Sequence, residues 1–341
     1  MNHNIDMSNI NVRTDLAIEE IDASEKNKFI KESIYNNIKV SSVEVNDKNK
    51  DKFMKKIGTY ITIEFTDATD YNNSKNVEEI FIKELKKILK TYKINDDNTC
   101  LVIGLGNDKS TPDSLGPLAI NDIIVTNHYF ELGINVEDGF RSVAAISPGT
   151  MGQTGIETFD IINAIVKEIK PDFVIVIDAL KASSVDRVNK TIQITDAGIN
   201  PGSGIGNNRK EISKEVLNIP VIAVGIPTVV DTITIVNDSI NYMTSYFSYM
   251  KENIDNPKEK LKIIRTDIKK DNINIEDKQK LFGMIGSLSE DEIKKFISEV
   301  LVPIGYNMIV TPKDIDFIIK RLSCVISTGI NNVLHKNVTN L

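Results

Sequence analysis

Cysteine and histidine are scarce in this 341-residue chain, and each scarcity removes a class of chemistry. The two cysteines, Cys100 and Cys324, lie far apart and form no CxxC pair. A disulfide framework and a cysteine zinc site are therefore excluded, and both thiols read as buried and free beside apolar runs. His3, His128 and His335 are the only histidines, and none sits in a nucleophile–base arrangement, which removes a Ser–His triad. Metal binding would fall to aspartates alone, a poor donor set for zinc, so no metal and no cofactor is expected. No run of about 18 apolar residues is present to span a membrane. The opening MNHNIDMSNINVRTDLAIEE lacks a basic start followed by an apolar core and is no secretory signal, so a reducing cytoplasm is the expected setting. Positive charge is also in deficit. A net charge of −7 gives no dense basic face for direct nucleic-acid binding. It suits a basic protein partner, and it equally serves ordinary solubility.

What is present is an apolar share of 41%, enough for a sizeable core. The length suits about two domains or one large α/β domain. Residues 1 to about 30 read as polar and irregular. Tyr60–Phe65 alternates as a strand, with Ile38–Val45 as its hairpin partner. Val77–Tyr92 carries Ile80, Phe81, Leu85, Ile88 and Leu89 at helical spacing. Leu101–Leu105, Ser142–Ile146, Phe173–Ile177, Thr191–Thr195 and Val221–Ile226 read as strands. Helices are expected from Ser114 to His128, over Glu157–Ile169, over Arg209–Leu217 and over Thr228–Tyr249. This alternation predicts an α/β fold, a mostly parallel twisted sheet covered by helices on both faces. Residues 250–280 are charged and apolar-poor, as an exposed excursion would be. Beyond them, SLSEDE and TPKD open two further helices, Ser289–Leu301 and Pro312–Val333.

Two aspartates stand out against this background. Asp113 lies in LVIGLGNDKSTPDSLGP, and Asp178 ends the buried run of KPDFVIVIDALKASS. If their strands run parallel, both carboxylates emerge at the carboxyl edge, where open α/β sheets place their sites. Neighbouring carboxylates can share a proton, leaving one as base and the other as acid, which is hydrolytic chemistry without a metal or a nucleophilic side chain. The bland role for Asp113 is a helix cap. Asp178 follows a run too apolar to be exposed and must be paired or hydrogen-bonded. Asp231 has capping-box spacing from Thr228 and reads as structural. Asp108 and Asp196 are weaker candidates. The glycines of GLGND, PGTMGQTG and PGSGIGNN fit neither a P-loop nor a dinucleotide fingerprint. They read as tight turns, as amides lining a cleft, or as a phosphate cradle in a non-enzymatic nucleotide-binding module.

Together TDLAIE, GLGNDKSTPDSLGP, SPGTMGQTGIET, IDALKASSVDRVNKTIQITDAGINPGSGIGNNRKEIS and GIPTVVD resemble the bacterial spore germination protease family. So do MIGSLSEDEIKKFISEVLVPIGYNMIVTPKDID and STGINNVLH, and the resemblance spans nearly the whole chain except 250–280. It implies an endopeptidase of the developing spore core, of an atypical aspartic type, that begins the degradation of small acid-soluble spore proteins. It also implies a homotetramer and a fold similar to the hydrogenase maturation proteases. The family's two aspartates match Asp113 and Asp178. The kinship with nickel-binding maturation proteases carries an alternative, a metal-binding enzyme of that kind. The family is made as a zymogen and cuts its substrates between an acidic and an apolar residue, in a pattern like Thr-Glu-(Phe/Ile)-Ala-Ser-Glu. Thr14-Asp15-Leu16-Ala17-Ile18-Glu19 is a near match. Self-processing between Asp15 and Leu16 is therefore expected, with 1–15 as propeptide and 16–341 as a single protease domain. The bland reading of this segment is a helix start with Thr14 as cap.

Overall fold

In a computed structural model of the chain, the structure describes residues 14–20, 26–53, 55–202, 209–256, 258, 275–336 and 338. Its strands are β1 (Ile30–Tyr35), β2 (Ile38–Val45), β3 (Gly58–Glu64), β4 (Cys100–Gly104), β5 (Val143–Ile146), β6 (Phe173–Lys181), β7 (Thr191–Thr195), β8 (Val221–Asp231) and β9 (Ile309–Val310). The longer helices are α1 (Tyr71–Thr91), α2 (Leu115–Asn121), α3 (Thr158–Ile169), α4 (Thr232–Glu252), α5 (Glu290–Leu301) and α6 (Ile315–Leu334). They form a mixed α/β fold. Contacts divide the chain into a larger unit (13–182, 186–229, 311–341) and a smaller one (1–12, 183–185, 230–310).

In the larger unit the strand order is β1-β2-β3-β7-β8-β6-β4-β5. The parallel arrangement expected from strand–helix alternation holds for β5, β4, β6 and β8. The other half is antiparallel. β2 and β3 pair as the expected hairpin, β1 adds to its outer edge, and β7 joins β3 to β8. Each central strand is buried on both faces, so its residues read as an unbroken apolar run.

Helices cover both faces. On one, Val77, Phe81, Leu85 and Ile88 of α1 and Ile319, Leu322, Ile326 and Ile330 of α6 pack on Val102, Ile175, Ile194 and Val224. α1 begins where Asp70 caps it by accepting from the Asn73 N–H at 2.8 Å. On the other face, Phe159, Ile162 and Val166 of α3 pack on Leu101, Ile103, Val174 and Val176. Glycine sets the closest approach between strand and helix. A Cβ on Gly104 would lie 2.3 Å from the Gly116 carbonyl oxygen, and one on Gly116 would lie 2.3 Å from the Leu105 carbonyl oxygen.

Several boundaries differ from the sequence reading. The stretch Ser114–His128 is not one helix, because α2 ends at Asn121 and a separate short helix spans Asn127–Glu131. β8 runs on through Thr228–Asp231, and the long helix begins only at Thr232. The N-terminal segment is not purely polar: Leu16, Ala17 and Ile18 are buried. Cys100 is buried as expected, whereas Cys324 is exposed on α6.

Within the smaller unit, β9 pairs with Val230 and Asp231, and Ile233, Ile293 and Ile297 form an apolar cluster between α4 and α5. The SLSEDE start signal is realised as a capping box, with Ser289 and Glu292 bonding reciprocally. Lys251 donates to Asp277 at 2.8 Å, and residues 257 and 259–274 of the charged stretch lie outside the described residues.

Candidate active site

Asp178 sits inside β6 rather than at its end. The strand continues to Lys181, and Asp178 pairs in register with Gly225 of β8. The carboxyl is almost fully buried and accepts from the neighbouring Ala179 N–H at 2.9 Å. Burial raises its pKa well above the ordinary carboxylate range, and the charges of Asp113 and Asp15 push it further the same way.

Asp113 closes a single 3-10 turn, Thr111–Asp113, between β4 and α2. The loop starts at the carboxyl end of β4, where the Leu105 N–H donates to the Ile177 carbonyl at 2.8 Å, one residue before Asp178. It then folds back on itself. The Asn107 N–H donates to the Asp113 carbonyl at 3.0 Å. Gly106 permits this turn with φ +117, and a Cβ there would sit 2.0 Å from the Asp113 carbonyl oxygen. Thr228 of β8 steadies the loop from the opposite side, its hydroxyl donating to the Pro112 carbonyl at 2.6 Å. Asp113 does not cap α2. Ser114 holds the N-cap position, with no side-chain cap bond. Burial raises the Asp113 pKa to about 6, against the smaller opposing pulls of the Asn107 N–H and the Arg209 charge.

The two carboxyls picked out in sequence are thus brought together, Asp113 from the loop after β4 and Asp178 from within the adjacent parallel strand β6 just beyond its pairing with β4, with unequal proton affinities. A third carboxylate, Asp15, reaches the same neighbourhood, with the Lys181 N–H donating to its Oδ2 at 2.9 Å. Its neighbour Leu16 is fully buried.

The remaining candidates have other roles. Asp108 accepts from the Gln153 Nε2 at 2.7 Å. Asp196 accepts from the Thr59 N–H at 2.6 Å and from the Tyr92 hydroxyl at 3.1 Å. Asp231 is structural, as its spacing suggested, though by a different bond. It caps α4 by accepting from the Thr234 N–H at 2.8 Å, while Thr228 stays in the strand and turns to Pro112. The PGTMGQTG loop holds a one-turn helix, Met151–Thr154, flanked by Gly149 at φ +73 and Gly155 at φ +74. Most of PGSGIGNN (203–208) lies outside the described residues. Among the described residues, no group of three or more His, Cys, Asp or Glu side chains is placed to hold a metal ion. No described helix is long and apolar enough to cross a membrane.

Sequence reading missed the bond from Thr228 to the Asp113 loop, the placement of Asp15, and Gln193, whose side chain bonds the Asp15 carbonyl and the Ala17 N–H. Each depends on which strands become neighbours, and no local signal carries that information.

A family model described as germination protease matches residues 4–340. The chain is 44% identical to the germination protease of Priestia megaterium, over 99% of this chain and 97% of that one. It is equally 44% identical, at the same coverage, to the germination protease of a Geobacillus species, and 43% identical to that of Bacillus velezensis. Among solved structures, a nickel–iron hydrogenase maturation protease from Thermococcus kodakarensis is 17% identical, with a TM-score of 0.28, over 42% of this chain and 80% of that one.

Proposed function

This chain belongs to the germination protease family, and on that premise we propose that it is an endopeptidase working through Asp113 and Asp178. Family membership makes it a peptidase of spore germination with a protein substrate. The observation that supports the finer reading is the pair of adjacent carboxyls whose surroundings separate their proton affinities. Asp178, enclosed and beside two other acids, holds its proton. Asp113, less enclosed and with a pKa of about 6, is ionised near neutrality.

The ionised Asp113 takes a proton from water, and the resulting hydroxide equivalent attacks the scissile carbonyl. Protonated Asp178 polarises that carbonyl and passes its proton to the departing amine. Peptide hydrolysis needs both functions, and unequal burial together with neighbouring charges makes two chemically identical side chains unequal. The substrates we assign are small acid-soluble spore proteins, met in the developing spore core. The chain acts as a homotetramer and is made as a zymogen that cuts itself between Asp15 and Leu16.

The test is to incubate the protein with a small acid-soluble spore protein and map the products by mass. Asp113→Asn and Asp178→Asn should each abolish cleavage with circular dichroism unchanged. Near-normal activity in either folded variant removes that residue from the mechanism. For the wild type, kcat/KM should rise with pH through about 6 as Asp113 ionises, then fall at higher pH as Asp178 loses its proton. A profile flat across pH 5 to 7 would contradict the division of roles.

A further inference from the structure

The segment Thr14–Glu19 is not merely packed against the sheet; it is gripped as a peptide. The Gln193 carboxamide spans the Asp15–Leu16 bond. Its Nε2 donates to the Asp15 carbonyl at 3.1 Å, and its Oε1 accepts from the Ala17 N–H at 2.8 Å. One donor and one acceptor offered to C=O(i) and N–H(i+2) is what a neighbouring β-strand offers, and it recognises backbone whatever the side chains. The Asp15 N–H adds a further strand-like bond to the Lys181 carbonyl at 3.1 Å. Lys55 Nζ donates to the Thr14 carbonyl at 2.6 Å.

Side chains are read as well. The Asp15 carboxylate takes the Lys181 N–H, and Leu16 is fully buried. Ala17, also fully buried, packs in one apolar cluster with Val43, Val45, Phe53, Tyr60 and Ala197. Glu19 lies with its Oε1 3.5 Å from Arg187 Nε, and Arg187 is held in turn by Glu64 at 3.2 Å. The groove also faces the candidate catalytic pair. Gln193 of β7 and Asp178 of β6 are both in register with Gly225 of β8, so the two side chains rise from the same face of the sheet on either side of a residue without one.

We propose that this groove is the substrate-recognition site, with Gln193 reading the peptide backbone across the scissile bond and Arg187 reading an acidic residue four positions beyond it. The ligand is a peptide of the form acidic–apolar–small–apolar–acidic, strand-like at the acidic–apolar bond and passing into a 3-10 turn beyond it, and Thr14–Glu19 is the copy the chain itself carries. The assignment rests on the peptidase reading above and adds which residues choose the substrate.

Three peptides spanning positions 11–22 test it against protein already cut at Asp15–Leu16, so that its own segment no longer spans the groove: the native sequence, one with glutamine for Glu19, and one with lactate for Ala17. The last replaces a single backbone N–H by an ester oxygen away from the scissile bond. The wild type should cut the native peptide at least tenfold better, in kcat/KM, than either altered one. Arg187→Gln should erase the preference over the glutamine peptide and keep the preference over the ester. Gln193→Ala should do the reverse. A side chain that only supports the fold would lower all three rates and leave both ratios intact. Equal cleavage of the three peptides by the wild type overturns the proposal even if neither variant folds. Cleavage of none of them sinks the peptidase reading itself, a different and distinguishable failure.

Discussion

At the residue scale, Asp178 is a stability cost as well as a chemical group. Its proton affinity is raised in the folded state, so the folded protein binds more protons than the unfolded chain once pH exceeds the unfolded value, about 3.9. Stability is then lost as pH rises towards the folded pKa. Asp178→Asn removes that loss, and its thermal midpoint should exceed that of the wild type at pH 7, with the gain fading as pH falls below about 4. Asp113 follows the same sign. Its window lies between the unfolded value and about 6, and Asp113→Asn should gain on the order of 2 kcal/mol at pH 7 after allowing for partial solvent screening. Thermal melts at pH 4, 5.5 and 7 check both variants. An inactive Asp178→Asn that melts below the wild type at pH 7 would mean that the buried carboxyl is ionised and otherwise compensated.

At the element scale, the loop that carries Asp113 depends on glycine contacts rather than on polar bonds alone. Gly116→Ala drives a methyl into the Leu105 backbone and must push α2 away from β4, carrying the Asp113 turn with it. Overpacking of this kind costs about 1–3 kcal/mol, so the variant should melt lower and lose most of its cleavage. Gly133→Ala, where nothing lies within 4 Å of the added carbon, serves as the control for a surface glycine. A Gly116→Ala enzyme with full activity would show that the loop is set elsewhere. Elements of this kind were legible in sequence where burial is two-sided, as in Phe173–Ile177, or where a cap is spelled out, as at Ser289. β1 was not, because its burial pattern is that of a half-exposed edge strand. The true start of α4 was not either, since Thr228–Asp231 suits a strand end as well as a helix start. Asp113 and Asp178 stood out as candidates because a carboxylate after an apolar run is conspicuous. Gln193 could not, because its role follows from β7 lying antiparallel beside β8.

At the scale of the whole molecule, the proposed self-processing must reckon with burial. The residues on either side of the Asp15–Leu16 bond include fully buried Leu16 and Ala17 and nearly buried Thr14. A second molecule reaching that bond would first need the segment to open, whereas the groove that holds it already belongs to the same chain. Removal of residues 1–15 should therefore be first order, with a half-time unchanged over a hundredfold range of protein concentration, and N-terminal sequencing should find Leu16. A rate proportional to concentration would make the event intermolecular. A stable, active enzyme that retains Met1 would exclude self-processing altogether.

The packing of α6 against α1 also has a consequence in time. One face of the sheet is closed by Ile319, Leu322, Ile326 and Ile330, which lie more than two hundred residues after α1 in the order of synthesis. At about 5–20 residues per second, a growing chain waits on the order of ten seconds or more between making the first of these helices and the last. Once β4, β6 and β8 are made, the part of their apolar face that α6 will cover stays open until that helix follows, so the nascent protein should be a client for chaperones before it is an enzyme. Ribosome-bound chains stopped before Ile315 should bind a hydrophobic dye strongly and cut nothing.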